Sequence, residues 1–262
     1  REAKKIVTDA GNFIERNCGQ VKKVEFKGKR NAVTWVDRES EKIIKNYLQR
    51  RFPGIPFLAE ELNYRQEYTD LCWVVDPLDG TNNFSHGYPV FCVSCALVKA
   101  KESLLGIVYD PTRKELFWAQ KGMGAFLNNR RIRVSRIRVL KKALVCTGFS
   151  YDFEDNEDTN IGHFINFLHA SQGVRRAGAA ALDLCYVACG RLDGFWELCL
   201  KPWDTAAGVL IVSEAGGKIT KFDGSKFDIF YSEVVASNKV LHSKMIEILQ
   251  RERRKIIYKE VK

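Results

Sequence analysis

The chain reads as an α+β protein whose first part is a largely antiparallel sheet, and three features predict this. Between residues 89 and 135, five short segments suited to strands follow one another: 90–98, 103–110, 115–120, 125–128 and 131–135. The breaks carry turn punctuation at Lys99 to Glu102, Asp110-Pro111, Gly122-Met123-Gly124 and Asn128-Asn129, so successive strands pair as a meander. Ahead of them, Ile6, Val7, Ala10, Phe13, Ile14 and Cys18 recur at helical spacing up to Gly19. Ile43, Ile44, Tyr47 and Leu48 do the same in a second helix, N-capped by Asp37 and stopped by Pro53-Gly54, giving two helices to cover one sheet face. Beyond Ala143 lie a strand from Leu144 to Thr147, a helix at 159–171, a short strand from Gly173 to Arg176, a helix from Ala179 to Cys189, a strand around Asp193 to Leu198 and a helix from Thr205 to Ala215. A mixed second sheet is expected there. With no repeat and no low-complexity linker, an N-terminal half (1–142) and a C-terminal half (143–262) are expected to pack as one unit.

Composition narrows the class. The chain has 262 residues, 28% charged and 45% apolar, ordinary for a soluble globular protein able to bury a substantial core. No apolar run approaches the roughly 20 residues of a membrane span, and no secretory core segment stands out, so cytosol is the expected compartment. The chain opens on Arg1, which leaves a trimmed segment open. Of the eight cysteines, Cys92 and Cys95 have CxxC spacing inside an apolar strand, which points them to opposite faces, and Cys185 and Cys189 share a helix face. No second CxxC or paired histidine completes a zinc set, and buried thiols are expected. The formal charge is +10, but its basic residues are spread over Lys22 to Arg30, Arg130 to Lys142 and Arg251 to Lys255. They lack the aromatic interleaving of a single-strand nucleic-acid platform, so RNA or protein association is the minor reading.

The most informative stretch is Trp73 to Phe84, WVVDPLDGTNNF. An apolar strand ends on Asp76, Pro77 removes a backbone donor and forces a turn, the Leu78 carbonyl lies outside any ladder, and Asp79 follows. Gly80-Thr81 can start a short helix whose unpaired N–H groups form an anion site beside both carboxylates. All the ligand atoms are hard oxygens, suited to Mg²⁺ or Mn²⁺ rather than zinc. A carboxylate-held cation next to an anion site suits a phosphate ester.

D-P-L-D-G-T-N-N-F resembles the first signature of the inositol monophosphatase family of Mg²⁺-dependent, lithium-sensitive phosphatases. Trp203-Asp204-Thr205-Ala206-Ala207-Gly208 resembles the second signature, and Glu60-Glu61 the upstream acidic pair. The similarity runs in order along nearly the whole chain. It implies a layered α-β-α-β-α sandwich, a homodimer, and hydrolysis of a phosphate monoester by direct attack of metal-activated water. It further implies two or three Mg²⁺ ions, with Mn²⁺ a substitute. Glu60, Asp76 and the Leu78 carbonyl would hold one ion; Asp76, Asp79 and Asp204 would hold the second. Glu61 has no assigned role. Thr81, polarised by Asp37 of the run Val33-Thr34-Trp35-Val36-Asp37, would orient the water, and the Gly80 and Thr81 N–H groups would cradle phosphoryl oxygens. By local rules alone Asp37 and Asp204 are helix N-caps, and His86 braces a loop.

On the substrate side, the resemblance places Glu197, seven residues before Asp204, as an acceptor for a substrate hydroxyl. Gly178 and Ala179 would contact substrate through their backbone; Ala179 stands where many members carry Thr or Ser. Inositol-1-phosphate or a related polyol or sugar phosphate is the expected substrate. Fructose-1,6-bisphosphate is an alternative, with Lys27, Lys29, Arg175 and Arg176 as candidates for a second phosphate, and a 3′-phosphoadenylate-type nucleotide is another. A regulatory RNA- or protein-binding module on the same fold is the alternative of another class.

Overall fold

Two sheets and three pairs of helices alternate in the computed structural model, which describes residues 1–20, 24–26, 32–61, 70–150 and 159–251. The helices are α1 (Glu2–Asn17), α2 (Trp35–Arg51), the one-turn α3 (Thr81–Ser85), α4 (Ile161–Ala170), α5 (Ala180–Ala188), α6 (Pro202–Glu214) and α7 (His242–Leu249). A two-stranded ribbon joins β1 (Glu25–Phe26) to β2 (Ala32–Val33). The larger sheet runs in chain order through β3 (Phe57–Ala59), β4 (Leu71–Asp79), β5 (Cys92–Lys99), β6 (Glu102–Asp110), β7 (Glu115–Gln120), β8 (Ala125–Leu127) and β9 (Arg130–Arg131). Only β3 and β4 are parallel; the rest is the expected meander. The smaller sheet contains β10 (Leu144–Thr147), β11 (Gly173–Arg175), β12 (Gly194–Glu197), β13 (Lys218–Thr220) and β14 (Val234–Ser237). Its order is β11-β10-β12-β14-β13, parallel in the first three strands and antiparallel in the last two. The second sheet is therefore mixed, as expected.

Burial shows why β4 and β5 read as unbroken apolar runs. Alternate side chains enter two different cores. Trp73 and Val75, with Phe91, Val93 and Cys95, pack against α1 and α2. Cys72, Val74, Cys92 and Ala96 face α5 and α6, which in turn cover Phe195 of β12 and Ala236 of β14. The outer face of the smaller sheet, with Val145, Trp196 and Val235, is closed by Phe167 of α4 and Met245 of α7. The five layers are helix pair, sheet, helix pair, sheet, helix pair: the α-β-α-β-α sandwich. The CxxC thiols separate as the strand period demands, Cys92 into one core and Cys95 into the other, and all eight cysteines are free.

Three expectations need correction. The strand proposed at 131–135 shrinks to Arg130–Arg131, because the chain then leaves the sheet edge and Val134 donates to the Ala215 carbonyl (3.2 Å) at the end of α6. Asp37 is not the N-cap of α2. Thr34 is, and Asp37 sits in the first turn, accepting the Thr34 N–H (2.8 Å) in a capping box. Likewise α6 begins at Pro202 rather than Thr205, so Asp204 lies inside its first turn and accepts the N–H of the N-cap Lys201 (2.7 Å). The basic Lys22 to Arg30 segment falls mostly outside the described residues, as do Lys27 and Lys29, the acidic loop 152–158 and the basic tail beyond Arg251. Among the described residues, no helix is long and apolar enough to cross a membrane.

Candidate active site

β4 carries its two aspartates across a bulge. Asp76 pairs with Ser94 and Asp79 with Cys92, so three steps on β4 oppose two on β5. The expected turn at Pro77 is thus an irregularity within a continuing strand. Proline has no N–H for the ladder, and a bulge is where a strand tolerates that. The Leu78 N–H instead donates to Asp76 Oδ1 (3.0 Å), and the Pro77 carbonyl accepts from Ser40 Oγ of α2 (2.9 Å). Both aspartates are buried, at 2% and 9% exposure, yet they stand at the strand end from which α3 departs.

A five-residue helix cannot hold itself in water, and α3 is held by its neighbours. Phe84 is fully buried and meets Phe91 edge-on at 5.3 Å between centroids, a pair contributing about 0.5–1.5 kcal/mol beyond area burial. Asn83 Nδ2 lies within hydrogen-bond distance of the carbonyls of Val90 (2.7 Å), Ala177 (2.8 Å) and Gly178 (3.3 Å), tying α3 to the turn before α5. Gly80 has φ +90°, and a Cβ there would lie 2.8 Å from the Val90 carbonyl oxygen; this position takes only glycine. His86 Nδ1 lies 2.9 Å from the Asn82 carbonyl, in keeping with the bracing role.

Two helices reach this bulge from opposite sides of the sheet, α2 with an acid and α5 with a backbone donor. From α2, Asp37 Oδ1 accepts the Thr81 hydroxyl (2.7 Å), while its Oδ2 takes both the N–H and the hydroxyl of Thr34. The Thr81 hydroxyl is also 2.9 Å from the Leu78 carbonyl; having one proton, it favours the carboxylate, the stronger acceptor. From the other side, the first turn of α5 donates the Ala181 N–H to Asp79 Oδ2 (2.8 Å), and Cys92 Sγ approaches the same oxygen at 3.6 Å. The start of α5 thus serves Asp79. Glu60 follows the final β3–β4 pair, Ala59 with Val75, which brings it alongside Asp76.

Electrostatics show that the distant acids share one neighbourhood. Burial first, then the charges of Glu60, Asp79 and Asp204, raise the Asp76 carboxyl well above its ordinary range. Asp204 is raised by burial and then by Glu60, with Asp79 adding to it. Burial pushes Asp79 to about 7 against the pull of the Ala181 N–H and the Cys92 thiol. Among the described residues no cation forms an ion pair with Asp76, Asp79 or Asp204. Buried like charges without a counter-ion are costly. Divalent cations are what a set of hard oxygen donors with surplus negative charge accommodates, so the residues fit that group. Among the described residues, though, no three His, Cys, Asp or Glu side chains are drawn up into a finished metal-binding constellation.

Glu197 closes β12 at 9% exposure, and burial together with Asp183, Asp204 and Asp79 raises its carboxyl well above the usual range, opposed by Arg176. Arg176 is thus the cation whose charge acts on Glu197, whereas Arg175 Nη1 bonds the neighbouring Val174 carbonyl. Sequence reasoning missed Asp183. It is 1% exposed in the first turn of α5, with Oδ1 unpaired among the described residues. A single acid in the apolar run A-A-L-D-L was the available signal. Asn83 and Ser40 were missed too; a half-buried amide or a buried hydroxyl bonded to backbone leaves no sequence pattern.

The family model for the inositol monophosphatase family matches residues 1–254. The chain belongs to this family. It is thereby a phosphoric monoester hydrolase acting on inositol phosphate or related substrates. An inositol-1-monophosphatase of Synechocystis sp. is 44% identical over 249 residues, covering 94% of this chain and 87% of that protein. The inositol monophosphatase structure from Anabaena (Nostoc) sp. PCC 7120 superposes with a TM-score of 0.86 at 39% identity, covering 94% and 93% of the two chains. A family structure of an IMPase/NADP phosphatase complexed with Mg²⁺ and phosphate gives a TM-score of 0.81 at 28% identity, covering 93% and 92%. Other relatives have different names. The fructose-1,6-bisphosphatase/inositol-1-monophosphatase of Aquifex aeolicus is 38% identical, covering 95% and 94%. Nus factor SuhB of Pseudomonas aeruginosa is 40% identical, also covering 95% and 94%.

Proposed function

We propose that the acids around the β4 bulge hold Mg²⁺ for hydrolysis of inositol-1-phosphate or a closely related polyol phosphate. Glu60, Asp76 and the Leu78 carbonyl would bind one ion and Asp76, Asp79 and Asp204 a second, with a weaker third near Glu60; Mn²⁺ would substitute. The observation that carries this reading is the gathering of buried Asp76 and Asp79 with half-buried Glu60 and Asp204, whose charges raise one another's carboxyls, with no cation paired to the three aspartates among the described residues. When bound, the ions would acidify the attacking water and offset charge on the phosphoryl and leaving oxygens.

The chain's own groups do the positioning. With its proton directed to Asp37, Thr81 keeps its oxygen lone pairs for a water O–H, which aims the water's oxygen at phosphorus. Gly80 and Thr81 N–H groups at the start of α3 would take phosphoryl oxygens as charge spreads over them. Glu197, deep beside Asp204, would accept a hydroxyl of the polyol, while the Gly178-Ala179 backbone lines the same side. The relative from Synechocystis supports the inositol phosphate reading by its name. Homodimerisation is part of the proposal at the family level, and sedimentation tests it. Comparing kcat/KM for inositol-1-phosphate, fructose-1,6-bisphosphate and a 3′-phosphoadenylate tests the substrate; equal values on all three would replace it with a broad-range phosphatase.

A second reading has support from the +10 charge and from the 40% identity to a Nus factor: a regulatory association with RNA or protein on the same fold. Salt-dependent RNA binding that survives Asp79→Asn would favour it, since phosphate contacts by spread lysines and arginines do not need the acidic site.

A further inference from the structure

Strand pairing alone does not set the geometry between the two acidic arms. The β3–β4 ladder ends at Ala59 with Val75, one residue short of Glu60 and Asp76. On the other arm, the ladder between β4 and β5 breaks between Asp76 and Asp79. Both acids that the proposed function assigns to the first ion thus lie at the edge of regular pairing. Beside them runs α2, whose Asp37, Ser40 and Glu41 are at most 1% exposed. Spaced i, i+3 and i+4, they occupy one face of the helix.

Each of the three touches a different part of the site. Asp37 takes the Thr81 hydroxyl. Ser40 Oγ donates to the Pro77 carbonyl inside the bulge (2.9 Å). Glu41 Oε2 accepts the Glu61 N–H (2.7 Å). That N–H belongs to the peptide leaving Glu60, so holding it restricts the ψ of Glu60 and hence where its side chain begins. A fully buried glutamate costs several kcal/mol unless its oxygens are satisfied, and a bond from carboxylate to N–H is among the stronger kinds. Ser40 and Glu41 are consecutive residues of a rigid element, so whatever distance they impose on their two partners is fixed by helix geometry.

We propose that Ser40 and Glu41 are positioning residues, and that α2 acts through them as the spacer between the Glu60 arm and the Asp76–Asp79 arm. The inference rests on the reading of Glu60 and Asp76 as metal ligands. Sub-ångström placement matters most for an ion that must be met from both arms at once.

The test is Mn²⁺ binding to substrate-free protein by isothermal titration, alongside the Mg²⁺ concentration for half-maximal activity and kcat at saturating Mg²⁺. Glu41→Met, which keeps the volume and removes the acceptor, is expected to weaken Mn²⁺ binding about tenfold or more and raise half-saturating Mg²⁺ by the same factor. Its kcat at saturation should stay within about threefold. Glu41→Gln keeps an acceptor oxygen and should bind Mn²⁺ within about twofold of wild type. Ser40→Ala, too small a change to endanger folding, should weaken Mn²⁺ binding a few-fold and keeps the test decisive if Glu41→Met fails to fold. Unchanged Mn²⁺ affinity in Ser40→Ala and in folded Glu41→Met would overturn the spacer role, as would Glu41→Gln binding as poorly as Glu41→Met. Glu60→Gln separates the two levels. If it weakens Mn²⁺ binding while the α2 variants do not, only the spacer role fails; if it leaves affinity unchanged, the ligand assignment beneath it fails.

Discussion

Asp37 and Asp204 hold the same local position and face different surroundings. Each lies in the first turn of a helix and reaches back to the N–H of the N-cap, Thr34 in α2 and Lys201 in α6. Around Asp37 the neighbours are donors: the Thr34 N–H and hydroxyl on one oxygen and the Thr81 hydroxyl on the other. Burial raises its carboxyl, and all three donors work against that rise. Around Asp204 the neighbours are other acids, Glu60 and Asp79, and the Lys201 backbone is the main opposing influence. Asp37 thus has the surroundings a brace needs, and Asp204 those that the proposed cation would need.

The largest effect is expected from Asp204→Asn. It is expected to lower Mg²⁺-dependent turnover about a thousandfold or more with the fold retained, by circular dichroism and melting temperature. Near-normal turnover would put Asp204 in the same class as Asp37. Asp37→Asn should cost less, about 10–100-fold in kcat, because it mis-aims Thr81 without removing a ligand. It should also lose about 1–2 kcal/mol of stability from the capping network, with Mn²⁺ affinity unchanged; a large loss of affinity would make Asp37 a ligand.

Metal and pH together give a third, smaller effect. Asp79 is raised from 3.8 to about 7 in the fold. Its contribution to metal-free stability is therefore complete below pH 3.8 and is lost as pH rises through about 7, where the folded protein must hold an uncompensated charge. On the proposed reading Mg²⁺ would remove that penalty, so the gain in melting temperature on adding Mg²⁺ should be larger at pH 8 than at pH 5.5. A gain that is flat across this window would argue against buried acids as the ion's site. The smallest effect is expected from Cys92→Ser, which gives Asp79 a better donor than the thiol at 3.6 Å and so makes it slightly more like Asp37. The acidic limb of the kcat/KM profile should move down by less than about one pH unit. An upward shift would contradict the contact.

Much of the fold was legible from periodicity. The meander was readable because β5 to β8 are separated by turn residues, and the first two helices because one face of each is apolar. β13 and β14 were not foreseen, since β14 pairs with β12 and β13 across long stretches of chain, and such pairing leaves no local pattern. The same limit explains the misplaced helix starts. Capping preferences identified an acid near each N-terminus, but an acid suits both the N-cap and the first turn, and only backbone dihedrals distinguish the two.

The kind of atoms at the site followed from local chemistry alone: D-P-L-D-G-T places two carboxylates and a helix start within a few residues of one another, because proline and glycine constrain the backbone there. Tertiary structure decided which other groups meet them. Whether an aspartate in a helix's first turn braces a threonine or joins a cluster of acids depends on what lies across the layer, and layers are assembled by burying side chains far apart in the chain. Asp183 and the Ser40–Glu41 contacts belong to that second kind of information, visible only once α2 and α5 are packed against opposite faces of β4.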